Sequence, residues 1–175
     1  MSESSSPQVG LVMGSDSDWP KIQAAARALA EFGVPYEVHV MSAHRTPEAV
    51  RQYADGAIGR GLKVLIAAAG GAAHLAGVIA SHTTVPVIGV PVPTELAGGL
   101  DSLLSIVQMP GDVPVATVGA GGGGPRNAGL LAVQILALSD AKLRDKLTAF
   151  KRSLVEKVVA KDAALQKTLQ QERKE

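Results

Sequence analysis

Short apolar runs alternate with helical patterns along most of this chain. Residues 9–13 are continuously apolar and closed by Gly14, as expected of a strand buried on both faces. After a polar loop, Pro20 opens a segment in which Ile22, Ala25, Ala26, Leu29 and Phe32 recur at helical spacing until Gly33, which predicts an amphipathic helix with a glycine stop. Over residues 36–41, Tyr36, Val38 and Val40 alternate with Glu37 and His39, the period of a strand. Pro47 then suits the first position of a helix that Thr46 can cap, running to about residue 58. The alternation continues with a strand over 63–68, an Ala-rich helix to about 83, a strand over 87–90 and a short helix over 100–107. A fifth strand over 115–118 and a nearly uncharged helix over 126–138 complete it.

Five strands separated by helices need right-handed crossovers, so they form one parallel sheet covered on both faces. The expected fold class is α/β, a three-layer α/β/α sandwich with a five-stranded parallel sheet. The α/β domain is expected over 8–138, after a Ser-rich disordered tail over 1–7. Over 139–175 an amphipathic helix is expected, capped by Ser139 and Asp140, with Leu143, Leu147, Phe150, Leu154, Val158, Leu165 and Leu169 as a stripe among charges. Its far end extends beyond what one domain can cover, so it either frays or lies on another subunit. The helix over 126–138 is apolar around nearly its whole circumference, so both helices are expected to pack on another subunit.

Composition narrows the functional classes. With 175 residues, 46% of them hydrophobic, the chain can bury a proper core as one domain. Its net charge of +1, with no Lys/Arg run interleaved with aromatics, lacks the footprint of a nucleic-acid binder. Cysteine is absent, which excludes disulfides, thiolate metal sites and a cysteine nucleophile and makes the cytoplasm the expected compartment. The polar start is not the pattern of a signal peptide, and no stretch is long enough to span a membrane.

Candidate chemistry is concentrated where strands end. Residues 42–47, Ser-Ala-His-Arg-Thr-Pro, follow the second strand. They set an acid/base side chain beside an anion-binding one in a loop that, in an open parallel sheet, lies where ligands bind. His44 as a turn cap and Arg45 as a solvated charge is the competing structural reading. Gly14 to Asp18 is hydroxylated and precedes a helix start, which suits a phosphate or ribose. Ala69 to His74 offers glycines where a ligand could touch main chain, but no Lys-Ser/Thr follows, so it is no P-loop. The Gly-rich residues 119–125 lack dinucleotide-binding spacing and read as a lid or close-approach loop. His39, His44, His74 and His82 show no metal-binding spacing, so no metal is expected.

Residues 12–19, 42–47, 69–75, 101–103 and 105–110 together resemble, in order, the class I 5-(carboxyamino)imidazole ribonucleotide mutase family of purine biosynthesis. The similarity covers roughly residues 9–138. Ala76 stands where that family usually has proline, and residues 121–124 are richer in glycine than its usual loop. The resemblance implies a flavodoxin-like sheet and an isomerase that moves a carboxylate from an exocyclic nitrogen to ring carbon four of an aminoimidazole ribonucleotide. It implies no cofactor, a homo-octamer and a small-molecule substrate. His44 is then the proton-transfer residue, and Ser15, Ser17, Asp18, Ser42 and Arg45 hold phosphate and ribose. Ala69, Gly70, Gly71, His74 and Leu75 complete the substrate-binding wall. Two other readings stay open: a carboxylase of the same fold that takes carbon dioxide from solution, and a flavodoxin-like binding or regulatory module without chemistry.

Overall fold

The computed structural model describes residues 6–173. Of the Ser-rich tail expected over 1–7, residues 1–5 therefore lie outside the described residues. The strands are β1 (Val9–Met13), β2 (Tyr36–Val40), β3 (Val64–Ala69), β4 (Val87–Pro91) and β5 (Ala116–Thr117), and they pair only in parallel, in the order β2-β1-β3-β4-β5. The helices are α1 (Trp19–Phe32), α2 (Pro47–Asp55), α3 (Leu75–Ser81), α4 (Leu100–Val107), α5 (Gly124–Ala137) and α6 (Ala141–Glu172). The step from β1 to β2 runs opposite to the steps from β2 through β5. With right-handed crossovers this places α1 on one face of the sheet and α2, α3 and α4 on the other.

The apolar runs explain the order of burial. Every residue of β1, β3 and β4 is buried, whereas the edge strand β2 is half open, in keeping with its alternating pattern. Because side chains alternate across a strand, Val12, Leu65, Ala67 and Val87 point to one face. There they form a core with Val50 and Tyr53 of α2, Leu75 and Ile79 of α3, and Ile106 of α4. On α1, the stripe Ile22, Ala25, Ala26, Leu29 and Phe32 is buried as its spacing predicts. Gly33 ends the helix at φ 73°, a left-handed conformation that costs a glycine nothing. Gly129 brings α5 against α1, since a Cβ there would collide with the Ala25 carbonyl and the Ala28 methyl.

Several boundaries differ from the sequence reading. α2 stops at Asp55 rather than near residue 58, because Gly56 opens a run of turns that returns the chain to β3. Thr46 occupies the N-cap of α2 but makes no side-chain cap bond. Its hydroxyl accepts from Ser42 N (2.9 Å) and donates to Ser42 O (3.1 Å), closing the preceding loop instead. β5 pairs over two residues rather than four, since only β4 is beside it and Pro114 precedes it. α3 ends at Ser81, with His82 as its C-cap.

The described residues from Ala137 onward form a compact unit of their own, distinct from the unit that ends at Leu136. α6 is 32 residues long and starts where the Asp140 carboxylate accepts from Leu143 N at 3.1 Å. Along it Leu154, Val155, Val158, Val159, Leu165 and Leu169 are exposed.

Candidate active site

In this strand order the direction of winding reverses beside β1, so the loops leaving the carboxyl ends of β1 and β3 diverge and leave a crevice. A cavity of about 480 Å³ lies there. It is lined from the loop after β1 (Gly14, Ser15, Asp18), from that after β2 (Ser42 to Arg45), from that after β3 (Ala69, Gly70, Ala72, His74) and from that after β4 (Val92 to Thr94). Lys21 of α1 and Leu75 of α3 complete it.

Each loop is held by its own polar side chains. Ser15 caps a single 3-10 turn, Asp16–Asp18. Its hydroxyl accepts from Ser17 N (3.3 Å) and lies 2.8 Å from the Ser17 hydroxyl. In the second loop the Ser42 hydroxyl accepts from both His44 N (3.3 Å) and Arg45 N (3.2 Å). Together with the Thr46 bonds to Ser42, this fixes the direction in which the imidazole and guanidinium leave the backbone. Arg45 Nη2 donates to Gly14 O at 3.1 Å, joining the second loop to the first. Burial pushes the Asp18 carboxyl above its ordinary value, opposed by the charge of Lys21 one turn along α1.

His44 Nε2 lies 2.8 Å from His74 Nδ1, the two rings meeting edge to face with centroids 4.9 Å apart. One nitrogen of that contact must donate and the other must accept, so the pair keeps it only while at least one ring is neutral. The sequence reading put these histidines in separate roles; the fold puts them in direct contact, because β2 and β3 flank β1 in parallel and end level with it, so the loops that carry His44 and His74 leave the same edge of the sheet. His74 is also the N-cap residue of α3, without a side-chain cap bond. Ala76, in the first turn of that helix, is fully buried. A backbone N–H there has no partner within the helix, so alanine in place of proline leaves the element intact.

The other expected site residues divide. Ser15, Asp18, Ser42, Arg45, Ala69, Gly70, His74 and Leu75 line the cavity with His44, whereas Ser17 and Gly71 do not. Ser17 stands behind Ser15 through their shared hydroxyl contact. The Gly71 backbone is committed to α4: its N–H donates to Ser102 Oγ (2.9 Å) and its carbonyl accepts from Ser105 Oγ (3.2 Å), at a φ of 67° that favours glycine. Ser102, fully buried, donates in turn to Val92 O at 2.7 Å. The loops after β3 and β4 are thus tied to one helix. Thr94 adds a 2.6 Å bond to Asp101, which holds that carboxyl below its usual range.

Lys21 and residues 92–94 were not singled out by sequence reasoning. The Pro/Gly-rich loop after β4 was the available signal, since it leaves the carboxyl end of a strand as the loops after β1, β2 and β3 do. Of the Gly-rich residues 119–125, Gly121 comes close to Pro93, where a Cβ would stand 3.2 Å from Pro93 Cγ. That loop, with Lys21 and Ile22, encloses a smaller cavity of about 290 Å³ next to the first. Among the described residues, no group of three or more His, Asp or Glu is placed to hold a metal ion, and no helix is long and apolar enough to cross a membrane.

An open parallel sheet with imidazoles, a guanidinium, a carboxylate and hydroxyls collected at its switch point defines an α/β protein built to bind and transform a small polar molecule. The chain belongs to the AIR carboxylase family, whose model matches residues 8–157. It is 62% identical over 161 residues to N5-carboxyaminoimidazole ribonucleotide mutase of Mycobacterium tuberculosis H37Rv, covering 92% of this chain and 91% of that protein. It is 58% identical over 141 residues to the protein of the same name from Bacillus subtilis strain 168, covering 81% and 87%. The crystal structure of Treponema denticola PurE superimposes with a TM-score of 0.83 at 30% identity, covering 91% of this chain and 98% of that one.

Proposed function

We propose that this protein is a carboxyl-transferring isomerase of purine biosynthesis. It converts 5-(carboxyamino)imidazole ribonucleotide to 5-amino-4-carboxyimidazole ribonucleotide. The observation that carries the mechanism is the placing of His44, paired with His74, in the same cavity as Arg45 and Asp18. Arg45 supplies a fork of donors for the substrate phosphate, while Ser15 and Ser42 offer hydroxyls and Asp18 accepts from the ribose. Their binding positions the imidazole ring against the histidine pair.

Proton and carbon bookkeeping then close on one residue. As the carbamate nitrogen–carbon bond breaks, its electron pair stays on nitrogen, which takes a proton from the His44 imidazolium, and carbon dioxide is released. Ring carbon four attacks that carbon dioxide, becoming tetrahedral with its hydrogen still attached. Neutral His44 then removes that proton, the ring regains aromaticity, and the enzyme returns to its starting protonation. The small apolar wall of Ala69, Gly70 and Ala72 has no charge to capture carbon dioxide or water. No step calls for a cofactor, and the reaction belongs in the cytoplasm. The protein works as a homo-octamer in which α6 and exposed apolar residues of α4 pack on neighbouring subunits.

The reading is tested by the source of the transferred carbon. With substrate labelled at the carbamate and unlabelled bicarbonate in the buffer, early product is expected to keep the label. Product label that follows the bicarbonate pool from the first time points would replace the mutase by a carboxylase of the same family.

A further inference from the structure

We infer that Lys21 is a second cation for the anionic end of the substrate, a binding role outside the loops of residues 14–18, 42–47 and 69–75. This rests on the proposed function for the identity of the ligand, and on the cavity alone for its charge. Lys21 follows Pro20 in the first turn of α1, three residues beyond Asp18 on the same helix face. Its ammonium reaches the loop after β4 and donates to Pro93 O at 3.3 Å. It lines both the main cavity and the smaller one beside it.

Charge decides what the lysine contributes. The fixed charges around the main cavity are the cations Lys21 and Arg45 and the carboxylate Asp18. With Lys21 the lining carries one net positive charge; without it, Arg45 and Asp18 cancel. The proposed substrate brings a phosphate and a carboxylate to this lining. Arg45 is already turned towards the first loop by its bond to Gly14 O. The ammonium has three donor hydrogens and spends one on Pro93 O, leaving others for an anion. Being exposed, it can also swing from that carbonyl to the ligand without uncovering a buried group.

A purely mechanical role, strapping α1 to the loop after β4, would need a donor but no charge, and this separates the two. Lys21→Gln keeps a donor without charge, Lys21→Met keeps neither, and Lys21→Arg keeps both. The full-length variants are compared for steady-state turnover of the carboxyamino nucleotide and for calorimetric binding of ribose 5-phosphate. Gln and Met are expected to raise KM and the ribose 5-phosphate Kd by about tenfold with kcat within about twofold, while Arg stays within about threefold. The parent should also lose affinity with added salt more steeply than Met does. A Gln variant indistinguishable from the parent, or a Met variant with unchanged KM and Kd, would overturn the inference. A parent without turnover whose ribose 5-phosphate binding still depends on the Lys21 charge would overturn the proposed function and leave this inference standing.

Discussion

At the scale of residues, the contact between His44 and His74 governs what a substitution at either position means. His44 is the ring that must alternate between donor and acceptor during the proposed cycle, and asparagine at that position keeps polarity and approximate size but cannot carry a proton near neutral pH. His44→Asn is expected to reduce kcat by about a thousandfold or more while ribose 5-phosphate still binds within about threefold of the parent. Turnover within tenfold of the parent would remove His44 from the chemistry. Gly71 and Ser102 act at one remove. They hold the loop that presents His74 by backbone and hydroxyl bonds rather than by reaching the cavity.

At the scale of elements, the edge strand β2 is fastened by a polar cluster rather than by apolar burial alone. Tyr53 of α2 donates its phenol to Glu37 Oε1 at 2.7 Å, and the Arg60 guanidinium lies 4.4 Å from the Tyr53 ring centroid. Arg60 Nη2 also donates to Tyr53 O at 2.9 Å, and His39 Nε2 lies 3.6 Å from Glu37. Burial, then the Glu37 carboxylate, pushes the Tyr53 phenol well above its ordinary range. Since the folded value is raised, the stabilisation is complete below the unfolded phenol value of about 10 and is lost as pH rises above it. Tyr53→Phe is expected to cost about 1–2 kcal/mol at pH 7, by losing this bond and leaving Glu37 short of a donor. It should also lose less additional stability than the parent between pH 9.5 and pH 11, both read by urea unfolding. Equal stability at pH 7 and an unchanged alkaline limb would exclude the cluster as a fastening.

For the molecule as a whole, exposed apolar surface is the observation behind the proposed assembly. Leu100, Leu104 and Val107 of α4 are all about half exposed, and Leu96 just before it is more so. On the unit that begins at Ala137, Val155, Val158 and Val159 are exposed on a helix otherwise rich in charge. Rows of this kind are uncommon on monomers and are covered in assemblies. Light scattering at micromolar concentration is expected to report about eight times the chain mass, and a monomeric mass would contradict the proposed octamer.

Much of the architecture was settled by periodicity, because strands buried on both faces must be continuously apolar and α1 must carry its stripe at helical spacing. Val9–Met13, Leu100–Val107 and the glycine stop at Gly33 fall where local pattern puts them. The loop of residues 42–47 was legible too, since strand, short polar loop and Pro-led helix occur in sequence order and set His44 beside Arg45 without any distant contact. Local pattern could not supply contacts between residues far apart in the chain. It could not show that the Thr46 hydroxyl would turn back to Ser42 rather than cap α2, because both bonds are within its reach. Nor could it assign Gly71 to α4, or bring Lys21 of the first helix to Pro93, 72 residues away. The pairing of His44 with His74 is of the same kind. It exists because the sheet order places β1 between β2 and β3, and that order depends on which apolar faces pack together, a choice made only when the whole core is assembled.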